Sequence, residues 1–303
     1  MTNIINPHDK FFRTSFSRLD VVRSFIEEVL PKQYRDKINL DSLRLSNSSF
    51  INEELSEHLA DLVYQAEYAG EPAKISLLFE HKSYQEDFQE LQLLQYMNNA
   101  YKEERKQKRK DKKPKKSTVV IPIVIHHGVS AWKKVSMRNQ FSNPHEDLLK
   151  FLPEFDYLLF SLNDFEDEQI ANFKNTFLST TAMLLKHSRD EKEKFLAIES
   201  FLIEKLKMLE LSHENDFISA IFYYLHNSTD LTSTEIVIIF TKVSINITNI
   251  AMTATEQLRE ETTLNVIQNL IRKGFDAIFI ADVVNLPLKK VEVIIKSIKN
   301  SSN

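Results

Sequence analysis

Alternation of apolar and polar residues on either side of a turn within positions 61–82 predicts two strands joined by a tight turn. Asp61-Leu62-Val63-Tyr64-Gln65-Ala66-Glu67-Tyr68 alternates, Gly70-Glu71-Pro72 has turn chemistry, and Lys74-Ile75-Ser76-Leu77-Leu78-Phe79-Glu80-His81-Lys82 alternates again. A turn centred between Gly70 and Glu71 sets Asp61 opposite Glu80 and Val63 opposite Leu78. Lys82 then shares the face of Glu80, roughly 7 Å further along. Leu62, Tyr64, Ile75, Leu77 and Phe79 take the other face, and His81 beside Phe79 reads as a hydrogen-bonded core histidine.

Elsewhere the period changes. Leu19, Val22, Phe25, Ile26, Val29 and Leu30 form a helical stripe that ends before Pro31, with Glu27 and Glu28 on a solvated acidic face. A first strand is expected within residues 43–50 and a helix over about 85–105. Residues 119–125 are the apolar run of a buried strand reached by a helical crossover, although Pro122 cannot donate a ladder hydrogen bond. Residues 157–162 predict one more strand. From residue 167 onward the pattern is helical, with apolar stretches at 195–211, 217–225 and 234–243. Near the end, 264–273 stops at Gly274, and 276–284 and 288–299 flank the turn Asn285-Leu286-Pro287. That layout is either a helix-turn-helix, with Lys289 and Lys290 available to DNA, or a packing lobe.

Opposed carboxylates destabilise a hairpin unless something sits between them, and a divalent cation is the natural occupant. Magnesium takes oxygen ligands, keeps several waters and is usually held by one or two carboxylates plus substrate phosphates. Asp61 and Glu80 supply the carboxylates, and Lys82 is placed to orient water or to stabilise developing charge, which points to phosphodiester hydrolysis. The bland alternative is a solvated strand face carrying ordinary acids.

Composition narrows the choices. A chain of 303 residues, 42% hydrophobic, can bury a full core. It has no cysteine, which excludes disulfides, thiol nucleophiles and zinc-thiolate sites. Its glycines are Gly70, Gly128 and Gly274, too few and too scattered for a phosphate-binding Gly-rich loop, so no nucleotide cofactor is expected. Neither end reads as a secretory signal and no apolar run approaches bilayer length, so a soluble cytoplasmic protein without membrane contact is expected. The net charge of −4 hides a local excess: residues 102–116 hold ten Lys or Arg and three acids, net +7, leaving −11 for the remainder. That run, which includes Lys106, Lys108, Arg109 and Lys110, reads either as a flexible phosphate-binding arm or as a solvated loop. His126 and His127 are neighbours that should face opposite sides of a strand and so cannot share one metal, and Trp132 reads as a packing residue near the sheet's end.

The order of helix, strand, Asp at the start of the next strand and E-x-K on the third resembles the PD-(D/E)XK nuclease superfamily. Flanking segments resemble one branch, the bacterial recombination-promoting nucleases (Rpn family), also described as transposase-like. The segments are Pro7-His8-Asp9-Lys10-Phe11-Phe12 with Phe16, Leu30-Pro31, Asp61-Leu62-Val63-Tyr64, Glu80-His81-Lys82-Ser83, Leu93-Leu94-Gln95-Tyr96-Met97, Ile121-Pro122-Ile123-Val124, and His127-Gly128 followed by Trp132. Together they cover most of residues 7–165.

The resemblance implies an α/β fold, a restriction-endonuclease-like mixed sheet with flanking helices, followed by an all-α C-terminal region. Together with the helical pattern from residue 167 onward, it divides the chain into a nuclease-like domain (1–165), a helical subdomain (166–260) and a helix-turn-helix-like segment (261–303). It implies a Mg²⁺-dependent DNA endonuclease, with Mn²⁺ as a substitute, in which Asp61 and Glu80 hold the metal and Asp61, Glu80 and Lys82 are catalytic. DNA is the implied partner, a homodimer is one way to cut both strands, and recombination or a mobile element is the setting. Many members of this branch have Gln where Lys82 stands; relatives tend to have arginines at the positions of Gln92 and Gln95, and usually Tyr at that of His126. Those last departures keep open the alternative of a non-catalytic DNA- or protein-binding member that retains the fold.

Overall fold

The structure, a computed structural model, describes residues 6–46, 60–80, 89–110, 117–128, 131–142 and 145–300. Helices α1 (Pro7–Phe16) and α2 (Leu19–Glu28) and the single turn α3 (Lys32–Arg35) precede strands β1 (Ile38–Leu45), β2 (Ala60–Tyr68) and β3 (Glu71–Glu80). Helix α4 (Gln89–Lys110) crosses over to β4 (Val119–His126), and a short α5 (Glu146–Leu149) leads to β5 (Leu158–Ser161). The sheet order is β1-β2-β3-β4-β5, antiparallel through β3 and parallel from β3 to β5. This is the mixed sheet with flanking helices that the sequence predicts.

The β2–β3 register differs from the expected one. Tyr68 pairs with Glu71, Val63 with Ser76, and Asp61 with Leu78, so the loop is the two residues Ala69 and Gly70. Both have positive φ, 51° and 83°, the signature of a type I′ turn whose twist matches that of the flanking strands. Pro72 therefore lies inside β3 rather than in the turn. It is tolerated because β4 joins β3 only from Ala73 onward, leaving β3 one neighbour at that level. Pro122 is accommodated in the same way, since β5 pairs with β4 only from Ile123. The shift is two residues, so every residue keeps its predicted face.

Ala69 holds a left-handed conformation that costs an L-residue with a Cβ roughly 1–2 kcal/mol. Its side chain is exposed, and its N–H donates to the Lys37 carbonyl at 2.7 Å. Asn at this position is expected to raise stability by about 0.5–1 kcal/mol, because Asn enters this region readily, and Val to lower it. Urea denaturation of the two variants checks this.

The first strand lies at residues 38–45, earlier than expected. Its alternation is broken by a bulge between Asn39 and Arg44, where Ser42 Oγ donates to the Asn39 carbonyl (2.6 Å) and accepts from the Glu67 N–H (2.7 Å). The segment 102–110 is not a loop: α4 continues to Lys110, and lysines and arginines at a helix C-terminus interact favourably with its dipole.

The helical region comprises α6 (Asp167–Ala171), α7 (Thr176–His187), α8 (Lys192–Phe195), α9 (Glu199–Leu211), α10 (Asn215–Ser228), α11 (Ser233–Thr241), α12 (Ile245–Arg272), α13 (Ala277–Val284) and α14 (Leu288–Asn300). One face of the sheet, carrying Leu62, Tyr64, Ile75, Ile123 and Ile125, shares a continuous core with α1, α2 and the helices from α7 to the first half of α12. The opposite face lies under α4, where Val63 and Val120 meet Ala100, and Val124 meets Leu93, Tyr96 and Tyr157.

Helix α1 is the joint between sheet and helical region. Tyr64 donates its hydroxyl to the Phe16 carbonyl, Ser15 and Thr181 hydroxyls meet at 2.5 Å, and the Phe11 ring stacks on Tyr224 at 4.2 Å. Burial pushes the Tyr64 hydroxyl pKa well above its ordinary value. The second half of α12 belongs to a separate small core, Ile267 with Ile280, Ala281 and Val291, which ties it to α13 and α14. Gly274 (φ 86°) ends α12 and Asn285 (φ 51°) ends α13, as the predicted turns require. Among the described residues no helix is long and apolar enough to cross a membrane.

Candidate active site

Asp61 stands next to the first residue of β2, and Glu80 is the last residue of β3. Asp61 pairs with Leu78, so Asp61 and Glu80 occupy positions of the same face one diagonal step apart rather than directly opposite. Diagonal neighbours in an antiparallel pair are about 7–8 Å apart at the backbone, within the span of two carboxylate side chains sharing one ion. Lys82 and His81 lie outside the described residues. Among the described residues no group of three or more His, Cys, Asp or Glu could hold a metal.

The sheet continues the site sideways. Glu80 pairs directly with His126 on β4, which pairs with Ser161 on β5. His126 lies on the α4 side with Val124, whereas His127 turns to the other side, where its Nδ1 lies 3.1 Å from the Leu185 carbonyl oxygen and its ring 4.7 Å from that of His8. The two histidines face apart, as their adjacency predicts. His126 is buried, its ring meets Trp132 edge-on at 5.5 Å, and its Nε2 accepts the Gly128 N–H at 3.2 Å. Burial, reinforced by the positive charge of Arg189 and opposed by Asp164, lowers its pKa and favours the neutral ring.

Trp132 packs beside Tyr157 and donates Nε1–H to its hydroxyl (3.3 Å). That hydroxyl donates to the Glu90 carboxylate (3.1 Å), which also accepts from the Gln140 amide. Burial and the adjacent Glu90 push the Tyr157 pKa up to about 12. Glu90 is 2% exposed, a buried acid at the start of α4 that locks this helix to the loop before β5. Sequence reasoning missed Glu90, Tyr157 and Arg189. For Glu90 a signal existed, since it sits three residues before Leu93 and so extends the buried stripe of Leu93, Tyr96 and Ala100. Arg189, whose pKa burial lowers, sits between helices with no periodicity to mark it.

The remaining sequence candidates lie elsewhere. Glu28 is half-buried and accepts the Lys174 N–H (3.1 Å) and the Ser24 hydroxyl, a tether between α2 and the turn before α7, while Glu27 is exposed. Gln95 is exposed on α4 and Gln92 half-buried. Lys106, Lys108, Arg109 and Lys110 occupy the last turns of α4, which runs back from the Glu80 end of β3 to the start of β4. There Glu104 receives the Thr118 N–H and hydroxyl and pairs with Lys108 at 2.7 Å. A helix of 22 residues is roughly 33 Å long, so this basic end and the Glu80 end lie at opposite ends of the sheet. Lys289 and Lys290 are exposed in the first turn of α14.

Residues 6–216 match the family described as "Putative transposase, YhgA-like". The chain is 27% identical over 187 residues to the "Inactive recombination-promoting nuclease-like protein RpnE" of Escherichia coli K12, covering 61% of this chain and 60% of that protein. It is 28% identical over 130 residues to the "Recombination-promoting nuclease RpnD" of Escherichia coli O157:H7, covering 42% and 48%. With the "Recombination-promoting nuclease RpnC" of Escherichia coli K12 it shares 24% identity over 185 residues, covering 60% and 59%. The chain thus spans about half to three fifths of the length of these relatives. No solved structure matches it.

Proposed function

Because the chain belongs to the YhgA-like transposase family, we propose that it is a metal-dependent DNA endonuclease that hydrolyses phosphodiester bonds at Asp61, Glu80 and Lys82. The observation that carries this reading is the placement of Asp61 and Glu80 on adjacent strands, on one face and one diagonal step apart. Two carboxylates, with room left for waters and a substrate phosphate, fit the oxygen donor set that Mg²⁺ takes, and Mn²⁺ accepts the same ligands. Asp61 and Glu80 would hold the cation. The chemistry it supplies is polarisation of the scissile phosphate and acidification of water. Lys82, two residues beyond Glu80, is the cationic group for orienting the attacking water and for stabilising charge on the phosphate.

DNA is the proposed partner. Lys289 and Lys290 on α14, and the basic end of α4 with Lys106, Lys108, Arg109 and Lys110, are its proposed phosphate contacts away from the cut. A homodimer would bring two such sites to opposite strands. The names of the relatives include both active and inactive proteins, and what separates the two readings here is the retained Asp61, Glu80 and Lys82 set.

The test is supercoiled plasmid incubated with the wild-type chain and Mg²⁺, Mn²⁺ or EDTA. Nicking in either metal and none in EDTA is expected. DNA binding without cutting under every condition would favour a non-catalytic DNA-binding protein on the same fold.

A further inference from the structure

His126 is a buried imidazole that no step above uses. Its Nε2 accepts the Gly128 N–H, and a neutral ring that accepts at Nε2 carries its proton on Nδ1. That Nδ1 is buried and has no hydrogen-bond partner among the described residues. A buried donor left unpaired costs about 1–3 kcal/mol, so such a group calls for a partner. The ring is anchored by the Gly128 N–H at Nε2 and packs edge-to-face with Trp132. On the sheet, His126 pairs directly with Glu80 in the parallel β3–β4 register, on strands about 4.8 Å apart, and the paired positions share a face.

We propose that His126 is a positioning residue for the metal site, its Nδ1–H donating to the Glu80 carboxylate and fixing the rotamer in which Glu80 meets the cation. This rests on the reading of Glu80 as a metal ligand. Such a bond would give the buried N–H an anionic acceptor and would give the glutamate an orienting hydrogen bond. Hydrogen bonds that orient a metal-ligating carboxylate typically change affinity by about 10–100-fold when removed.

Two variants separate positioning from packing. His126→Phe fills the same space against Trp132 but has no donor. His126→Asn packs less well, yet its side-chain amide N–H occupies the place of Nδ1–H. Mn²⁺ binding to the intact chain, measured by isothermal titration calorimetry, is expected to weaken about tenfold or more in His126→Phe and to recover most of that loss in His126→Asn. Wild-type affinity in His126→Phe, or equal loss in both variants, overturns the proposal.

A metal-free readout keeps it distinct from the nuclease reading. In ¹⁵N-edited NMR of the apo protein the His126 ring is expected as the Nδ1-protonated tautomer, with an Nδ1–H resonance that shifts in Glu80→Gln. If the wild type binds no Mn²⁺ but this resonance shifts, the metal reading fails and the His126–Glu80 contact stands. An Nε2-protonated ring, or an unmoved resonance, removes the contact whatever the metal result.

Discussion

Asp61→Asn is expected to lower metal-dependent plasmid cleavage by about 10³-fold or more while leaving the fold intact. The substitution keeps the side-chain volume and the β2 position, whose pairing with Leu78 is made by the backbone. What it removes is one of two negative charges available to a divalent cation. A bound metal contributes several kcal/mol of charge stabilisation in the transition state, and about 4 kcal/mol corresponds to roughly 10³ in rate. The effect belongs on activity rather than on stability, because the substitution is isosteric and leaves the backbone pairing of β2 unchanged. Initial nicking rates and thermal midpoints measured side by side check this. Cleavage at the wild-type rate would remove Asp61 from the mechanism.

The largest effect on stability is expected from Phe12→Ala, about 3–5 kcal/mol, against a typical total of 5–15 kcal/mol. Phe12 is fully buried in α1, its ring stacked on Phe16 at 4.3 Å. The same helix meets β2 through the Tyr64 hydroxyl and α10 through the Phe11–Tyr224 stack. A cavity there opens at the junction of sheet and helices, which share one continuous core from Phe11 to Ala254. The sheet and helices α7 to α11 are therefore expected to unfold in one transition at a lower denaturant midpoint. Guanidinium titration followed by far-UV circular dichroism and by Trp132 fluorescence checks both points: coincident curves are expected, and separate ones would argue against the shared core.

Much of this architecture was legible because its signals are periodic. The alternation over 61–68 and the apolar run at 119–125 emerged as β2 and β4, and the stripe from Leu19 to Leu30 as α2. Gly274 and the turn Asn285-Leu286-Pro287 announced the terminal helices, and Gly274 and Asn285 supply the left-handed ends; the N-cap of α13, where Asp276 accepts the Phe279 N–H, emerged only in the structure. What failed did so where two physical effects competed. Gly70-Glu71-Pro72 looked like the turn because Gly and Pro dominate turns, yet twist matching selected Ala69-Gly70 and moved Pro72 into an edge-like stretch of β3. A bulge stabilised by Ser42 disguised β1. The basic run looked unstructured because like charges repel, but nine of its residues continue α4, where the helix C-terminus favours them.

The site divides along the same line. Asp61 and Glu80 could be assigned to one face from parity alone, since a two-residue slip preserves it. The neighbourhood of Glu80 on β4, and hence the part played by His126, depends on a parallel pairing across a crossover of nearly forty residues, which no local pattern encodes. Glu90 and Tyr157 met for the same reason only in the folded chain.

Whether Glu80 and its neighbours make a metal-dependent nuclease is decided by comparing wild type and Glu80→Ala on supercoiled plasmid with Mg²⁺, with Mn²⁺ and with EDTA. Nicking by the wild type in the presence of metal, none in EDTA, and none by a folded Glu80→Ala in any condition is expected. Equal nicking by both proteins, or nicking that persists in EDTA, would contradict it.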